Sequence, residues 1–218
     1  WVALEHRSEL AGWTMAELGM LPGCYVIFAG VFAGFVQPGL TETMEQIRRG
    51  TLDYVLLRPV DPLVASLGSA FQPWSLLEIL AGSGLVIASA LSTPGRVGCI
   101  ELVQLSLVGI SGLAALYALG VLVLAASFRA LALENLTYLM ESLLDFARWP
   151  ISVFRGPLKA LFTFVIPFAV MTSYPALALA GELGWAEVGG AMATAAVLLG
   201  LARGLWSRAL RGYTSASS

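Results

Sequence analysis

The sequence predicts an all-α membrane protein, a bundle of about five membrane-crossing helices, and three observations predict it. Of 218 residues, 58% are hydrophobic and 12% are charged, about half the charged share of a soluble domain. Mean hydropathy is +0.82. The apolar residues fall in continuous blocks at 21–36, 63–91, 100–128, 158–180 and 185–206. Most of these reach the ~20 residues that cross ~30 Å of hydrocarbon. Helix follows because a lipid-exposed backbone must satisfy its own hydrogen bonds. A barrel would need alternating segments of about ten residues, and these blocks do not alternate.

The first crossing is expected over 21–38. Ahead of it lie Glu5, His6, Arg7 and Glu9, and the chain starts at Trp1 without the basic n-region of a signal peptide. An earlier crossing helix is therefore expected upstream. Gly19/Gly23, Gly30/Gly34 and, later, Gly200/Gly204 share a spacing that lets helices approach closely. Packing inside the bundle is their first expected use, and contact with a second copy the other.

A cytoplasmic helix is expected over 41–58. Thr41 can cap it, Glu42 and Glu45 suit its first turn, Arg48 and Arg49 its last, and Gly50 its C-terminus, with a restart at Thr51-Leu52-Asp53. One reading is an ordinary solvated loop. The other is a rigid handle by which a soluble partner moves the bundle.

Crossings follow at 63–91 and 99–127. Glu78 falls mid-block, either a hydrogen-bonded interior acid or part of a cavity lining, since a buried acid there costs on the order of a few kcal/mol. Glu101 should sit at a solvated helix start, where the dipole favours it. Cys24 and Cys99 have no metal spacing and are expected to be small buried thiols.

Over 129–148 the residues Glu134, Tyr138, Glu141, Asp145 and Arg148 recur every three or four positions, a polar stripe on an apolar helix. Two topologies compete. In one, this helix lies in the interface and 158–180 crosses. In the other it crosses with Glu134, Tyr138 and Glu141 toward a cavity, and 150–180 dips into the outer leaflet as two half helices. Pro150, Pro157, Pro167 and Pro175 favour the second, because each removes a donor or breaks a helix. The basic-residue count favours the first, since Arg148, Arg155 and Lys159 would otherwise lie outside.

The last crossing is expected over 185–206, with a tail at 207–218. Arg48, Arg49 and Arg58, and again Arg203, Arg208 and Arg211, mark cytoplasmic sides, whereas 92–98 holds only Arg96 and 181–184 no basic residue. The C-terminus is thereby placed in the cytoplasm. Chemistry on this chain is not expected. Its only lysine, Lys159, is not in a phosphate loop, His6 is its only histidine, and neither His-Glu-x-x-His nor Gly-x-Ser-x-Gly occurs. No metal or cofactor site and no nucleic-acid partner is expected, for want of ligand spacing and of a basic tract.

One segment is more specific than composition. It reads Ile47-Arg48-Arg49-Gly50-Thr51-Leu52-Asp53-Tyr54-Val55-Leu56-Leu57-Arg58-Pro59-Val60-Asp61-Pro62-Leu63. This resembles the ABC-2 type permeases, in the subgroup whose cytoplasmic loop reads Ile-Arg-x-Gly-x-Leu-Asp-x-x-Leu-Leu-Arg-Pro-x-x-Pro-Leu. Gly12-Trp13, Glu17-Leu18, Arg148-Trp149-Pro150-Ile151, Phe164-Val165-Ile166-Pro167-Phe168, Tyr174-Pro175-Ala176 and Gly212-Tyr213-Thr214-Ser215-Ala216 extend it along essentially the whole chain.

The resemblance implies a six-helix permease domain of the type V exporter kind, its first helix lying ahead of this sequence. It implies partners: a second permease, the same chain or a homologue, and two ATP-binding subunits that hold ATP and magnesium, in a bacterial inner membrane. Contact with those subunits would run through a coupling helix, with Met44, Gln46, Ile47, Arg48, Arg49, Gly50, Thr51, Leu52, Asp53, Tyr54 and Arg58. A translocation cavity would take Glu78, Glu134, Tyr138 and Glu141. The family's outer re-entrant hairpin matches 157–180, which decides for the second topology, with 129–148 crossing and 150–180 re-entrant, and an outer gate there would take Pro150, Pro157, Pro167, Phe168, Tyr174 and Pro175. Export of a hydrophobic or amphiphilic cargo is the implied activity. The alternative is a stand-alone carrier or channel working through Glu78, Glu134 or Glu141.

Overall fold

The computed structural model describes residues 9–10, 13–57, 59, 61–63, 71–92, 98–128, 142, 151–153, 155–161, 163 and 167–212. The stripe residues Glu134, Tyr138 and Glu141, together with Arg58 and Pro150, lie outside the described residues. A two-stranded hairpin, β1 (Glu9–Leu10) and β2 (Trp13–Thr14), leads into α1 (Met15–Val31). A π turn at Phe32–Val36 joins α1 to α2 (Gln37–Arg49).

The first crossing and the expected cytoplasmic helix are thus one continuous helix. Thr41 does not cap it: its hydroxyl donates to the Gln37 carbonyl one turn back, at 3.0 Å. The reason lies at Pro38. Proline lacks the N–H that would bond the Gly34 carbonyl, and the helix absorbs the defect as a π turn instead of stopping. The orphaned Gly34 carbonyl accepts the N–H of Gln72 at 3.1 Å. A second π turn, Ala169–Ser173, stands just ahead of Pro175 in the same way.

Further helices among the described residues are α3 (Asp53–Leu56), α4 (Ser75–Ser92), α5 (Cys99–Ser127), α6 (Pro157–Ala160), α7 (Tyr174–Ala180) and α8 (Trp185–Arg211). Among the described residues four helices are long and apolar enough to cross a membrane: Gly19–Arg49, Ser75–Ser92, Cys99–Ala126 and Trp185–Arg211. The crossing expected from residue 63 starts at Ser75, after a turn at Pro73 and Trp74. Pro167 is outside any helix, and the apolar run Ala169–Ala180 is about 18 Å long, short of the ~30 Å hydrocarbon core.

Two seams hold the bundle. Helices α1 and α4 run antiparallel through glycine, with Gly19 facing Ser89, Gly23 facing Val86 and Gly82, and Gly30 and Gly34 facing Ser75. A β-carbon on Gly82 would lie 2.8 Å from the Gly23 carbonyl oxygen. Such proximity matters in lipid, where helix association rests on packing more than on expulsion of water. Helix α5, at the centre, runs parallel to α8 through larger side chains. Phe28, Phe32, Val36, Leu40 and Met44, every fourth residue of α1–α2, meet Leu116, Val121 and Leu124 of α5, Phe168 and Met171, and Leu198 and Trp206 of α8. Helix α4 leaves Leu77, Leu80 and Leu91 exposed, a lipid-facing surface once the bundle is in a membrane.

At the end where α5 and α8 begin, Gln104 donates to the Leu183 carbonyl at 2.9 Å, and the Ile151 N–H to Ser173 Oγ at 3.1 Å. Glu101 lies in the first turn of α5, as expected. Cys24 is buried, but Cys99 is exposed, a correction explained by its place as the first residue of α5 and not within its packed length.

Candidate functional site

At 1.5 Å per residue the helix Gly19–Arg49 is about 46 Å long, roughly 16 Å more than the hydrocarbon needs. The surplus is α2, a stalk rigidly continuous with the first crossing. Its amphipathic faces are separate: Leu40, Thr43 and Met44 are buried, whereas Thr41, Glu42, Arg48 and Arg49 are exposed. Glu45 holds Arg49 at 2.7 Å and Arg48 at 3.7 Å, and Gln46 donates to Glu42 at 3.3 Å. Such exposed pairs add little stability but keep the outer face polar.

Gly50 ends the stalk. Its φ of 68° is left-handed, and the following Thr51 N–H returns to the Gln46 carbonyl at 2.9 Å, the glycine stop that the sequence indicates. The chain turns there into α3. Leu52, 0% exposed, anchors this turn in the bundle, and above it stand Tyr54 at 73% and Leu57 at 82% exposure. Large apolar side chains presented on a segment beyond the membrane mark an interaction surface. Beside the stalk, an open groove of about 580 Å3 runs between Gln37, Thr41, Glu42 and Glu45 on one wall and Phe71, Gln72 and Pro73 on the other.

The structure sorts the expected contact residues into two kinds. Met44 and Leu52 face the bundle, and Ile47 packs half-buried against the same core, so these three are anchors. Arg48, Arg49 and Tyr54 are exposed, with Gln46, Gly50, Thr51 and Asp53 partly so.

Four residues that the sequence does not connect fasten this segment to α8 and α5. Asp61 Oδ2 accepts from Arg203 Nη2 of α8 at 2.7 Å, and Asp61 Oδ1 accepts the Leu63 N–H at 2.9 Å. The Leu63 carbonyl in turn accepts from the Tyr117 hydroxyl of α5 at 3.0 Å. The segment after α3 is thereby tied to α8 and α5. A charge in an apolar helix, as at Arg203, signals a partner, but 142 residues separate the pair and no local spacing names it.

The other expected sites are placed as follows. Glu78 is not an interior acid: it is exposed in the first turn of α4, because that helix starts only at Ser75. Pro167, Phe168 and Pro175 are buried, Tyr174 is half-buried and Pro157 is exposed. Phe168 shares the core of Phe32 and Leu116. The comparisons with known proteins come to one match. A family model described as ABC-2 family transporter protein covers residues 1–217, while no curated protein and no solved structure matches.

Proposed function

The chain belongs to the ABC-2 family of transporter proteins, and from that premise we propose that it is a permease subunit driven by ATP hydrolysis on separate ATP-binding subunits. Multi-pass membrane transport is the family's work; the ATP coupling is our reading. The observation that carries it is the unbroken helix from Gly19 to Arg49. A push on the exposed face of α2 reaches the first crossing through a helix that runs on across its π turn, and the segment after α3 is tied through Asp61–Arg203 and Tyr117 to α8 and α5.

In this reading two ATP-binding subunits and a second permease complete the transporter, in a bacterial inner membrane. The cargo is hydrophobic or amphiphilic and moves outward. Arg48, Arg49, Arg203, Arg208 and Arg211 gather at one end of the bundle, which supports a cytoplasmic stalk and C-terminus. Glu134, Tyr138 and Glu141 remain our candidates for the cavity, and Pro150, Pro157, Pro167, Phe168, Tyr174 and Pro175 for the outer gate. The carrier reading draws no support from Glu78, which stands exposed at a helix start.

The test uses the protein purified from its native membrane. An ATP-binding protein should copurify, and Asp53→Lys with Tyr54→Ala should abolish cargo-stimulated ATP hydrolysis while membrane insertion persists. Cargo flux that needs no ATP, from a preparation free of any ATP-binding protein, sinks the proposal.

A further inference from the structure

Where α5 and α8 end, they part around an apolar cleft of about 270 Å3. Leu122 and Leu205 line its deeper part. Toward the helix ends it is lined by Ala125, Ala126 and Ala209, side chains too short to fill the gap between the two helices. Arg208 also lines this cleft, and the same residue lines a second hollow of about 580 Å3 with Gly204, Ser207 and Arg211. An apolar slot and a basic hollow therefore meet at Arg208.

An arginine in the last turn of a helix has an ordinary use, complementing the dipole. That use requires neither the cleft nor the hollow. Arg208 and Arg211 are exposed, and neither has an acidic partner among the described residues. Arg203, one turn earlier, is already taken by Asp61. Helix α8 is about 40 Å long, so with its apolar length centred in ~30 Å of hydrocarbon its last turns lie at headgroup level. Gly204 leaves the hollow open, since even an added β-carbon there would have nothing within 4 Å.

We propose that the cleft and hollow together hold one anionic phospholipid, with an acyl chain between α5 and α8 and the phosphate between Arg208 and Arg211. The complementarity is one of charge and of polarity: an apolar tail beneath a singly or doubly negative headgroup, against an apolar slot beneath two guanidinium groups that have no acidic partner among the described residues. The site depends on the bundle lying in a bilayer and not on what it transports.

The test is native mass spectrometry of the protein delipidated in detergent and offered phosphatidylglycerol or phosphatidylcholine of identical acyl chains. The wild type should retain one phosphatidylglycerol in preference to phosphatidylcholine. Arg208→Gln and Arg211→Gln should each weaken that retention roughly fivefold, about 1 kcal/mol apiece, and together remove the preference. Gly204→Phe keeps both charges and fills the hollow, so it too should lower phosphatidylglycerol retention. Equal retention of the two lipids by the wild type, or an undiminished preference in the double variant, overturns the proposal. So does a double variant whose lipid count is unchanged but whose oligomeric state shifts, which would assign the cleft to a second copy of the chain.

Discussion

Helices α1 and α8 carry the same glycine spacing and use it in opposite ways. On α1 and the π turn after it, Gly19, Gly23, Gly30 and Gly34 are all spent inside the chain, against the backbone and side chains of α4. On α8, Gly200 and Gly204 face open space, and the helix is held by the interlocking of Leu198, Ala202 and Trp206 with α5 and by polar ties at both ends. Tight approach thus fixes the helix that continues into the stalk. The last helix keeps a bare face and a charged tether. Under the proposed coupling, this division puts the tightly packed seam on the helix that would take the push and the more open one on the last helix.

Breaking the tight seam should have the largest effect. Gly23→Leu drives a branched side chain into Val86 and the Gly82 carbonyl, 3.1 Å from a β-carbon. We expect a loss of about 3 kcal/mol, the upper range of overpacking, read as earlier unfolding in a detergent denaturation series. A variant as stable as the wild type would place α4 elsewhere.

The tether comes next. Asp61→Asn removes a half-exposed ion pair, so stability should fall by less than about 1 kcal/mol. Coupling should suffer much more: cargo-stimulated ATP hydrolysis should drop, and the exchange Asp61→Arg with Arg203→Asp should restore part of it. Normal coupling in Asp61→Asn would reduce the pair to a surface contact. The smallest effect is expected on the bare face, where Gly200→Leu should change unfolding by no more than about 0.5 kcal/mol, because its side chain meets nothing in the chain. A large loss there, seen only in the assembled transporter, would show that a second subunit covers that face.

Much of the site was legible from residues 47–63, whose pattern names the family and whose Gly50 marks the end of a helix. Thr41 misled because threonine caps helices in isolation, whereas here Pro38 is absorbed as a π turn and the helix runs on. Glu78 misled because hydropathy counts 63–91 as one block and does not see that a helix starts at Ser75, which puts Glu78 in its first turn. Met44 and Leu52 belong to the right segment, but a motif does not say which of its side chains turn inward.

Composition, block length and a seventeen-residue motif suffice to establish a helical membrane transporter subunit, since they reflect local chemistry: apolar length against bilayer thickness, and a turn that needs glycine. The inward face of the stalk, the tie between Asp61 and Arg203, and the different fates of two equal glycine pairs were assigned by folding alone. Each is a contact between segments tens to more than a hundred residues apart, and helical periodicity carries no information about which helix lies opposite.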